Sequence, residues 1–160
     1  MQESAQRFLD LFKGSEGAHG QTDVLARQRN GKQEAKYEIV REPLTVELVQ
    51  SHLDGTLGVG SIPIDETNRC WFGALDIDDY NLDHSALFSK VKRFKLPLVL
   101  CRSKSGGAHL FLFLSERVAA AEVRDRLAEF AAVLGWGNCE IFPKQEELLV
   151  ERGDVGNFIN

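Results

Sequence analysis

The stretch CWFGALDIDD, residues 70–79, determines how the rest of this chain is interpreted. It begins with mainly apolar residues and ends with acidic ones, which is typical of a β-strand that stops at the edge of a sheet. Side chains alternate between the two faces of a strand. Asp76 and Asp78 therefore share one face, whereas Leu75 and Ile77 point to the other.

The residues that follow predict a regular succession of helices and strands, through their hydrophobic periodicity and their stop signals. The predicted elements are a strand at 70–77, a helix from Asp83 to Phe94, a strand at 98–101, a strand at 108–114, a helix at 118–134 and a strand from Cys139 to Pro143. This β-α-β-β-α-β order predicts an α+β fold with an RRM-like or ferredoxin-like antiparallel sheet. Numbered along the chain, its strands should lie in the order 4-1-3-2, with both helices on one face.

Residues 1–69 carry weaker signals, and we interpret them as an amino-terminal accessory α/β module packed beside an RRM-like module at 70–160. The predictions are a short helix at 3–12, a loop with marginal structure at 14–36, and a helix that is capped by Thr45 and ends at Asp54. Phe72, Phe111 and Phe113 lie on the predicted sheet face without helices, so another part of the chain must cover them. The amino-terminal module is the expected cover.

Polar side chains from three strands should meet where the strand at 70–77 ends. In the expected strand order, the third and fourth strands flank the first and run antiparallel to it, so that their first residues lie beside its last ones. The third strand begins with His109 and the fourth with Glu140. The sequence therefore predicts that both residues join the pair of Asp76 and Asp78 at one edge of the sheet.

The two carboxylates at the strand end suggest a site for a divalent cation. Asp76 and Asp78 would stand about 7 Å apart along the strand and would repel each other unless a cation lay between them. Mg²⁺ and Mn²⁺ are bound in this way, by one or two carboxylates together with substrate phosphates. Acidic pairs are also common at strand ends without a metal, and a single histidine on a strand is often structural.

The loop before His109 has the composition of a phosphate-binding segment. It has the sequence RSKSGG, and its glycines allow the backbone to turn so that N–H groups face an anion. Arg102 and Lys104 add positive charge, and Lys144 closely follows Glu140. The candidate phosphate-binding residues are Arg102, Lys104, Ser105, Gly106, Gly107, His109 and Lys144.

Three motifs of the chain resemble those of the archaeo-eukaryotic primase, or primase-polymerase, superfamily. LDID at 75–78 is similar to its DxD or DxE pair, SGGAH at 105–109 to its sGxH strand, and CEIFPKQ at 139–145 to its third acidic motif. The chain also resembles, more narrowly, the primase-like domain of bacterial TOTE conflict systems and mobile-element or CRISPR-associated primase-polymerases. The likeness extends to PLTVELVQSHLDG at 43–55 and to GNFIN at 156–160.

This resemblance implies a metal-dependent nucleotidyltransferase, a DNA primase-polymerase that adds nucleotides to a primer or to an initiating nucleotide. It implies that Asp76, Asp78 and Glu140 hold two divalent cations, Mg²⁺ or Mn²⁺. It further implies that His109 contacts the incoming triphosphate and that the phosphate-binding candidates are nucleotide-binding residues. Many relatives have aspartate at the third acidic position, so the role of Glu140, as ligand or as base, stays open.

The implied partners are nucleotide triphosphates and a single-stranded or primed DNA template, with a fused or associated helicase or nuclease. In the resembling family the segment continues beyond Asn160, so we expect the 70–160 module to be truncated at its carboxyl end and to extend primers poorly alone. The residues themselves leave two other functions open. A non-catalytic RRM-like module would stack single-stranded nucleic acid on Phe111 and Phe113, and a phosphohydrolase would use an aspartate of the DxD pair as its nucleophile.

Composition limits the classes of partner and the cellular setting. The net charge of −5 and the pI near 5.4 argue against a protein that coats duplex DNA through bulk charge. No apolar run reaches the roughly 18 residues of a membrane span, and the start MQESAQRFLDLF lacks the features of a signal peptide, so we expect a cytoplasmic protein with no membrane partner. Two basic clusters are interpreted as solvated faces or local grooves: Arg27, Arg29, Lys32 and Lys36, and Lys90, Lys92, Arg93 and Lys95.

The cysteines give no sign of a metal site. Cys70, Cys101 and Cys139 are far apart in the sequence and form no CxxC pair, which argues against structural zinc. Each lies in or beside an apolar stretch. We therefore expect all three to be reduced, buried thiols of the core.

Overall fold

A four-stranded antiparallel sheet forms the centre of the structure, a computed structural model that describes residues 2–22, 28–29, 32–33 and 37–160. The elements are α1 (Gln2–Leu11), β1 (His19–Thr22), β2 (Gln28–Arg29), β3 (Lys32–Gln33), β4 (Tyr37–Val40), α2 (Val46–Leu53), β5 (Gly58–Gly60), β6 (Arg69–Ile77), α3 (His84–Arg93), β7 (Val99–Arg102), β8 (Ala108–Ala119), α4 (Ala120–Leu134), β9 (Glu140–Phe142) and a 3-10 turn (Val150–Arg152). The central sheet has the order β7-β8-β6-β9, and all its neighbours are antiparallel. The predicted α+β class and the strand order 4-1-3-2 are confirmed.

The helices α3 and α4 cover one face of this sheet and end at the predicted residues. Asp83 caps α3 by accepting a hydrogen bond of 2.9 Å from the N–H of Ala86. Gly135 ends α4 with a φ of 87°, a backbone conformation that glycine adopts without strain. In the described parts of the chain, no helix combines the length and the apolar character needed to cross a membrane.

The boundary between β8 and α4 differs from the prediction. The strand continues past 114 to Ala119, and the helix begins at Ala120 instead of 118. The continuation is held by β6, because Arg69 pairs with Ala119 in the register and its guanidinium donates to the carbonyl of Arg117. Pairing with a neighbouring strand therefore outweighs the polar composition of the SER segment, which is more typical of a loop.

The amino-terminal module covers the sheet face that lacks helices, as expected. The Phe12 ring lies edge-on against the rings of Phe72, Phe111 and Phe113, with centroid distances of 5.4, 5.0 and 5.2 Å. Phe72 is fully buried and Phe111 is 5% exposed. A second apolar core therefore lies between the module and the sheet, and Ile159 also belongs to it.

A three-stranded sheet with the order β4-β1-β5 builds the amino-terminal module together with α1 and α2. The predicted loop over 14–36 is wrong for His19–Thr22, which pairs with β4 on one side and with β5 on the other. It is also wrong for the separate antiparallel pair of β2 and β3. The HGQT sequence of β1 has no hydrophobic alternation, so this strand depends on its two neighbours. The described part of the chain does not include residues 23–27, 30–31 and 34–36. The expectation for Arg27 and Lys36 therefore lies outside the described residues.

The carboxyl-terminal segment folds back onto this small sheet. Ser61 and Ile159 exchange two backbone hydrogen bonds, of 3.0 and 2.9 Å. The Phe158 ring lies so close to the sheet that a Cβ added to Gly20 or Gly60 would stand 2.2 or 2.4 Å from it. Residues near the two ends of the sequence thus contact each other and join the two predicted modules. The division of the modules at residue 69 stays a prediction.

Candidate active site

The end of β6 places Asp76 between the first residues of its two neighbouring strands. Asp76 lies opposite His109 of β8 and opposite Glu140 of β9 in the strand register. Directly opposite residues of antiparallel strands point to the same face of the sheet. The three side chains therefore form a row on the face away from α3 and α4.

Asp76 has a carboxylate oxygen that the described part of the chain leaves without a hydrogen bond. Its Oδ1 lies 3.3 Å from His109 Nε2, and the two side chains are 19% and 16% exposed. That distance suits an ion pair, but the two groups do not have the mutual direction of a hydrogen bond, and Oδ1 is buried without a donor. A buried carboxylate oxygen in this state is costly unless a further group, such as a cation, contacts it.

A pocket of about 460 Å³ opens beside Asp76. Asp78 lines it from just beyond the end of β6, and Glu140 lines it from β9. The rest of the wall consists of Ile77 and the connection between α4 and β9, residues Gly135, Trp136, Gly137, Asn138 and Cys139. Three carboxylates thus border one pocket.

Glu140 is paired with a lysine. Lys144 Nζ lies 2.8 Å from Glu140 Oε2 and 5.0 Å from the centre of the Phe142 ring. Among the described residues, no three His, Cys, Asp or Glu side chains are grouped so that they hold a metal ion. Asp76, Asp78 and Glu140 therefore border the pocket without forming a ready-made site with three ligands.

The carboxylate oxygens at this pocket are suitable ligands for a divalent cation such as Mg²⁺. Such ions bind one or two carboxylates together with waters and substrate phosphates, and they do not require a cage of protein side chains. The Oδ1 of Asp76, which accepts no hydrogen bond, and the exposed carboxylate of Asp78 meet that requirement. Glu140 borders the same pocket, with its Oε2 in contact with Lys144.

The loop between β7 and β8 is a tight turn that packs against the end of β6. The N–H of Ser103 donates to the carbonyl of Gly107 at 3.0 Å, and the N–H of Gly106 donates to the carbonyl of Ser103 at 3.1 Å. Gly107 approaches β6 so closely that a Cβ would lie 2.1 Å from the carbonyl oxygen of Ile77. At least two N–H groups of the loop are therefore engaged inside it. Lys104 and Ser105 are exposed, and their role in nucleotide binding stays a prediction.

The strand register separates Arg102 from the other candidate residues. Arg102 lies opposite Ala108, whereas Cys101 lies opposite His109. Neighbouring residues of a strand point to opposite faces, so Arg102 leaves the sheet on the side of the helices and Cys101 on the side of His109. The prediction of a buried Cys101 is wrong, because β7 is an edge strand and leaves this residue exposed. Cys70 is buried as predicted.

Sequence reasoning missed three residues that shape the site. His84 Nε2 donates to the carbonyl of Gly107 at 2.9 Å and so ties α3 to the loop before His109. Trp136 and Cys139 line the pocket. Burial, and then the nearby charge of Asp76, raise the pKa of the Cys139 thiol to about 11, so it is neutral near pH 7. The available signal for Cys139 was its place directly before the acidic residue of β9.

Comparisons with known proteins bear on the identity of this fold. No curated protein matches the chain. A family model does match, over residues 18–160, and its description is TOTE conflict system, Archaeo-Eukaryotic Primase domain. The matched range contains the whole four-stranded sheet and every candidate site residue at its edge. The chain therefore belongs to the archaeo-eukaryotic primase domains of TOTE conflict systems, a family of primase-like nucleotidyl-transfer domains.

Proposed function

We propose that this chain carries out template-directed nucleotidyl transfer as a DNA primase-polymerase, adding nucleotides to a primer or to an initiating nucleotide. The observation that carries the proposal is the buried Oδ1 of Asp76, which accepts no hydrogen bond and lies beside a pocket that Asp78 and Glu140 also border. The family supports nucleotidyl transfer as the class of reaction. The substrates would be nucleotide triphosphates and a single-stranded or primed DNA template, with a helicase or nuclease as a fused or associated partner.

In this proposal Asp76 and Asp78 hold the divalent cations, Mg²⁺ or Mn²⁺, and Glu140 completes the set or acts as a base. Cations held by these carboxylates would help to align the attacking 3′-hydroxyl with the α-phosphate and would neutralise the charge that develops there. The protein's own task is then to fix the positions of the carboxylates. The β6 ladder does this for Asp76, which is paired on both sides.

The pair of Glu140 and Lys144 suggests how an incoming nucleotide completes the site. Their 2.8 Å contact neutralises Glu140 as long as no other charge is present. A triphosphate brings several negative charges, and phosphate oxygens compete well for an ammonium group. Lys144 can therefore exchange Glu140 for a phosphate, which frees the carboxylate to face the cations. His109, in the row with Asp76, can donate Nε2–H to a second phosphate oxygen.

Two rival functions lose support. Base stacking on Phe111 and Phe113 requires an open aromatic face, but Phe12 covers both rings edge-on and Phe111 is only 5% exposed. A phosphohydrolase of the aspartate-nucleophile type is suggested only by the DxD pair at a strand end, and it would require a parallel sheet with repeated βαβ units. The sheet that carries Asp76 is antiparallel throughout.

Incorporation of labelled nucleotide onto a primed template, with Mg²⁺ or Mn²⁺, tests the proposal. We expect Asp76→Asn and Asp78→Asn to lower incorporation roughly a thousandfold, because each removes charge that holds a cation and several kcal/mol of stabilisation depend on it. Asp79→Asn is the matched control, since Asp79 is the next carboxylate along the chain but lies outside the pocket and accepts from the N–H of Asn81. Near-normal incorporation by either Asp76→Asn or Asp78→Asn, with the fold retained, would refute the assignment.

A further inference from the structure

The strand β7 forms one edge of the central sheet, and the described residues place no strand on its outer side. Within it, Val99 is 50% exposed, and Cys101 and Arg102 are also exposed. An open edge strand presents backbone N–H and C=O groups with which another strand can pair. This edge is therefore a candidate surface for a partner.

The alternation of the ladder shows which backbone groups of β7 point outward. The N–H of Ser103 donates to the carbonyl of Gly107 at 3.0 Å, and this bond continues the register of β7 with β8. In an antiparallel pair, only every second residue bonds to the same neighbour. The odd-numbered residues therefore bond to β8, whereas Leu100 and Arg102 direct their N–H and C=O groups away from it. Two donors and two acceptors are thus available along the outer edge.

Cations flank this edge at both ends. The stretch 84–115 contains β7 and has no Asp or Glu, although the chain has 24 acidic residues in all. Lys95 precedes β7, whereas Arg102 and Lys104 lie at its end, and all three are exposed. The ion pairs of the described residues do not include them. In a protein with a net charge of −5, this edge is therefore suited to a negatively charged partner.

Lys95 has a backbone conformation that favours glycine. Its φ is 53°, in the left-handed region that commonly follows the end of a helix. The N–H of Lys95 donates to the carbonyl of Lys92 at 3.1 Å, and the N–H of Leu96 donates to that of Val91 at 3.0 Å, so the turn after α3 fixes the backbone. A lysine at a position that favours glycine suggests that its charge has a use.

The backbone groups and the charges together select one kind of occupant. Two β7 strands from two copies would bring Lys95, Arg102 and Lys104 of both copies together, and like charges on paired strands are destabilising. The DNA backbone accepts hydrogen bonds but donates none, so it would leave the carbonyls of Leu100 and Arg102 unmatched. An extended peptide offers both donors and acceptors, and acidic side chains on it would meet the cations.

We propose that β7 binds an extended acidic segment of a partner protein as a fifth strand of the central sheet. The segment pairs with the backbone groups of Leu100 and Arg102. One acidic side chain lies beside Arg102, because directly opposite residues share a face of the sheet, and another lies near Lys95. The edge at β7 is opposite to the edge at β9, which carries Glu140, so this binding requires neither metal nor nucleotide.

The first test uses the unaltered protein, labelled with ¹⁵N, in EDTA and without nucleotide. The probe is a synthetic seven-residue peptide of alternating valine and threonine with a glutamate at each end. We expect the amide signals of Leu100 and Arg102 to shift most in the titration, and their hydrogen exchange with solvent to slow. The same peptide with every backbone nitrogen methylated keeps its charge but loses its donors, and should not bind. Absence of shifts in β7, or equal affinity for the methylated peptide, would overturn the proposal.

The second test changes the charges that flank β7. Lys95→Gly removes a cation and suits the local φ, so the urea midpoint should not fall while affinity for the peptide falls about two- to fivefold. Arg102→Glu should weaken binding about two- to tenfold and should favour a peptide with lysines in place of the glutamates. Arg7→Glu, at an exposed position of α1, is the matched control and should bind normally.

The outcome of the charge changes also separates a peptide from nucleic acid. Unchanged affinity in both Lys95→Gly and Arg102→Glu would refute an acidic partner. If a ten-nucleotide strand displaces the peptide, and methylation of the peptide has no effect, the edge binds phosphates through its cations alone. That result would replace the proposed strand pairing by nucleic-acid binding.

Discussion

The two pockets at the ends of β6 each include a residue with a buried polar atom that makes no hydrogen bond, but these two atoms differ in chemical type. At one end this atom is Oδ1 of the Asp76 carboxylate, and at the other it is Nε2 of the His19 ring. The second pocket, of about 320 Å³, is lined by His19, Lys13 and Trp71 among other residues. The lysine at the first pocket is paired with Glu140, whereas Lys13 at the second lies over a ring. Unsatisfied buried atoms are rare in folded proteins, and where they line a pocket a ligand can complete them. The first pocket therefore suits cations, whereas the ring nitrogen of His19 is shielded from solvent.

The two pockets also differ in how the chain builds them. The Asp76 pocket is set by strand register, because β8 and β9 each place one residue directly opposite Asp76. The His19 pocket is assembled from α1, the segments around it and the start of β6, which are distant in the sequence. Register can be deduced from alternation, whereas an assembly of distant loops cannot.

Substitution of His109 should affect the first pocket alone. His109→Ala removes one charge-assisted contact to a phosphate, which should cost about 1.5–3 kcal/mol, or roughly ten- to a hundredfold in affinity for a non-hydrolysable triphosphate. Isothermal titration with the triphosphate and Mg²⁺ measures this. Affinity for single-stranded DNA without metal should stay within twofold or so of the unaltered protein. Unchanged triphosphate affinity would mark His109 as a structural histidine whose partner is Asp76.

Asp65 provides a test of what stabilises the end of β6 that carries Trp71. This residue is 7% exposed; burial alone would raise its pKa, but hydrogen bonds from Thr67, Arg69 and Arg117 outweigh burial and lower the pKa below its usual range. Its charged form therefore stabilises the fold above the unfolded-state pKa of about 3.8, and that stabilisation is lost as the pH falls through the lower folded-state value.

We expect Asp65→Asn to lower the free energy of unfolding by about 1–3 kcal/mol near pH 7 and by much less near pH 2. Urea unfolding at the two pH values measures this difference. Glu116→Gln, at an exposed site on β8, should change stability by less than about 0.5 kcal/mol at either pH. A cost for Asp65→Asn that does not vary with pH would contradict the role of its charge.

Alkylation of Cys101 should give the smallest effect and should report on the first pocket. Cys101 is exposed and lies opposite His109, whereas Cys70 is buried and its thiol has a pKa raised, first by burial, to about 12. Iodoacetamide should therefore label Cys101 and spare Cys70. Triphosphate with Mg²⁺ should slow the labelling of Cys101 a few-fold, as followed by mass spectrometry of the peptides. Equal labelling rates with and without triphosphate would place the nucleotide away from His109.

The central sheet could be predicted because short stretches of the sequence determine each of its elements. Alternation in 70–77 and the caps at Asp83 and Gly135 set the elements, and the β-α-β-β-α-β order set their neighbours. From these, the row of Asp76, His109 and Glu140 followed. Their catalytic roles were implied by the resemblance and are still proposals.

What could not be predicted depends on long-range pairing or on side-chain position. The HGQT strand forms only because β4 and β5 flank it. Arg102 was grouped with His109 by proximity in the sequence, but its register places it on the other face. The contact of Lys144 with Glu140 depends on the turn after β9, which composition does not reveal. Buried atoms such as His19 Nε2 are visible only when all their neighbours are known.

The pairing of Ser61 with Ile159 has a consequence for the order in which the chain folds. The apolar cluster that contains Phe12 also contains Phe72, Phe111 and Ile159, so its first member is synthesised long before its last. Contacts of such high separation form slowly, whereas the packing of α1 on α2 joins residues that are closer in the sequence. The contacts of Phe12 with this cluster are therefore complete only after Ile159 has been synthesised.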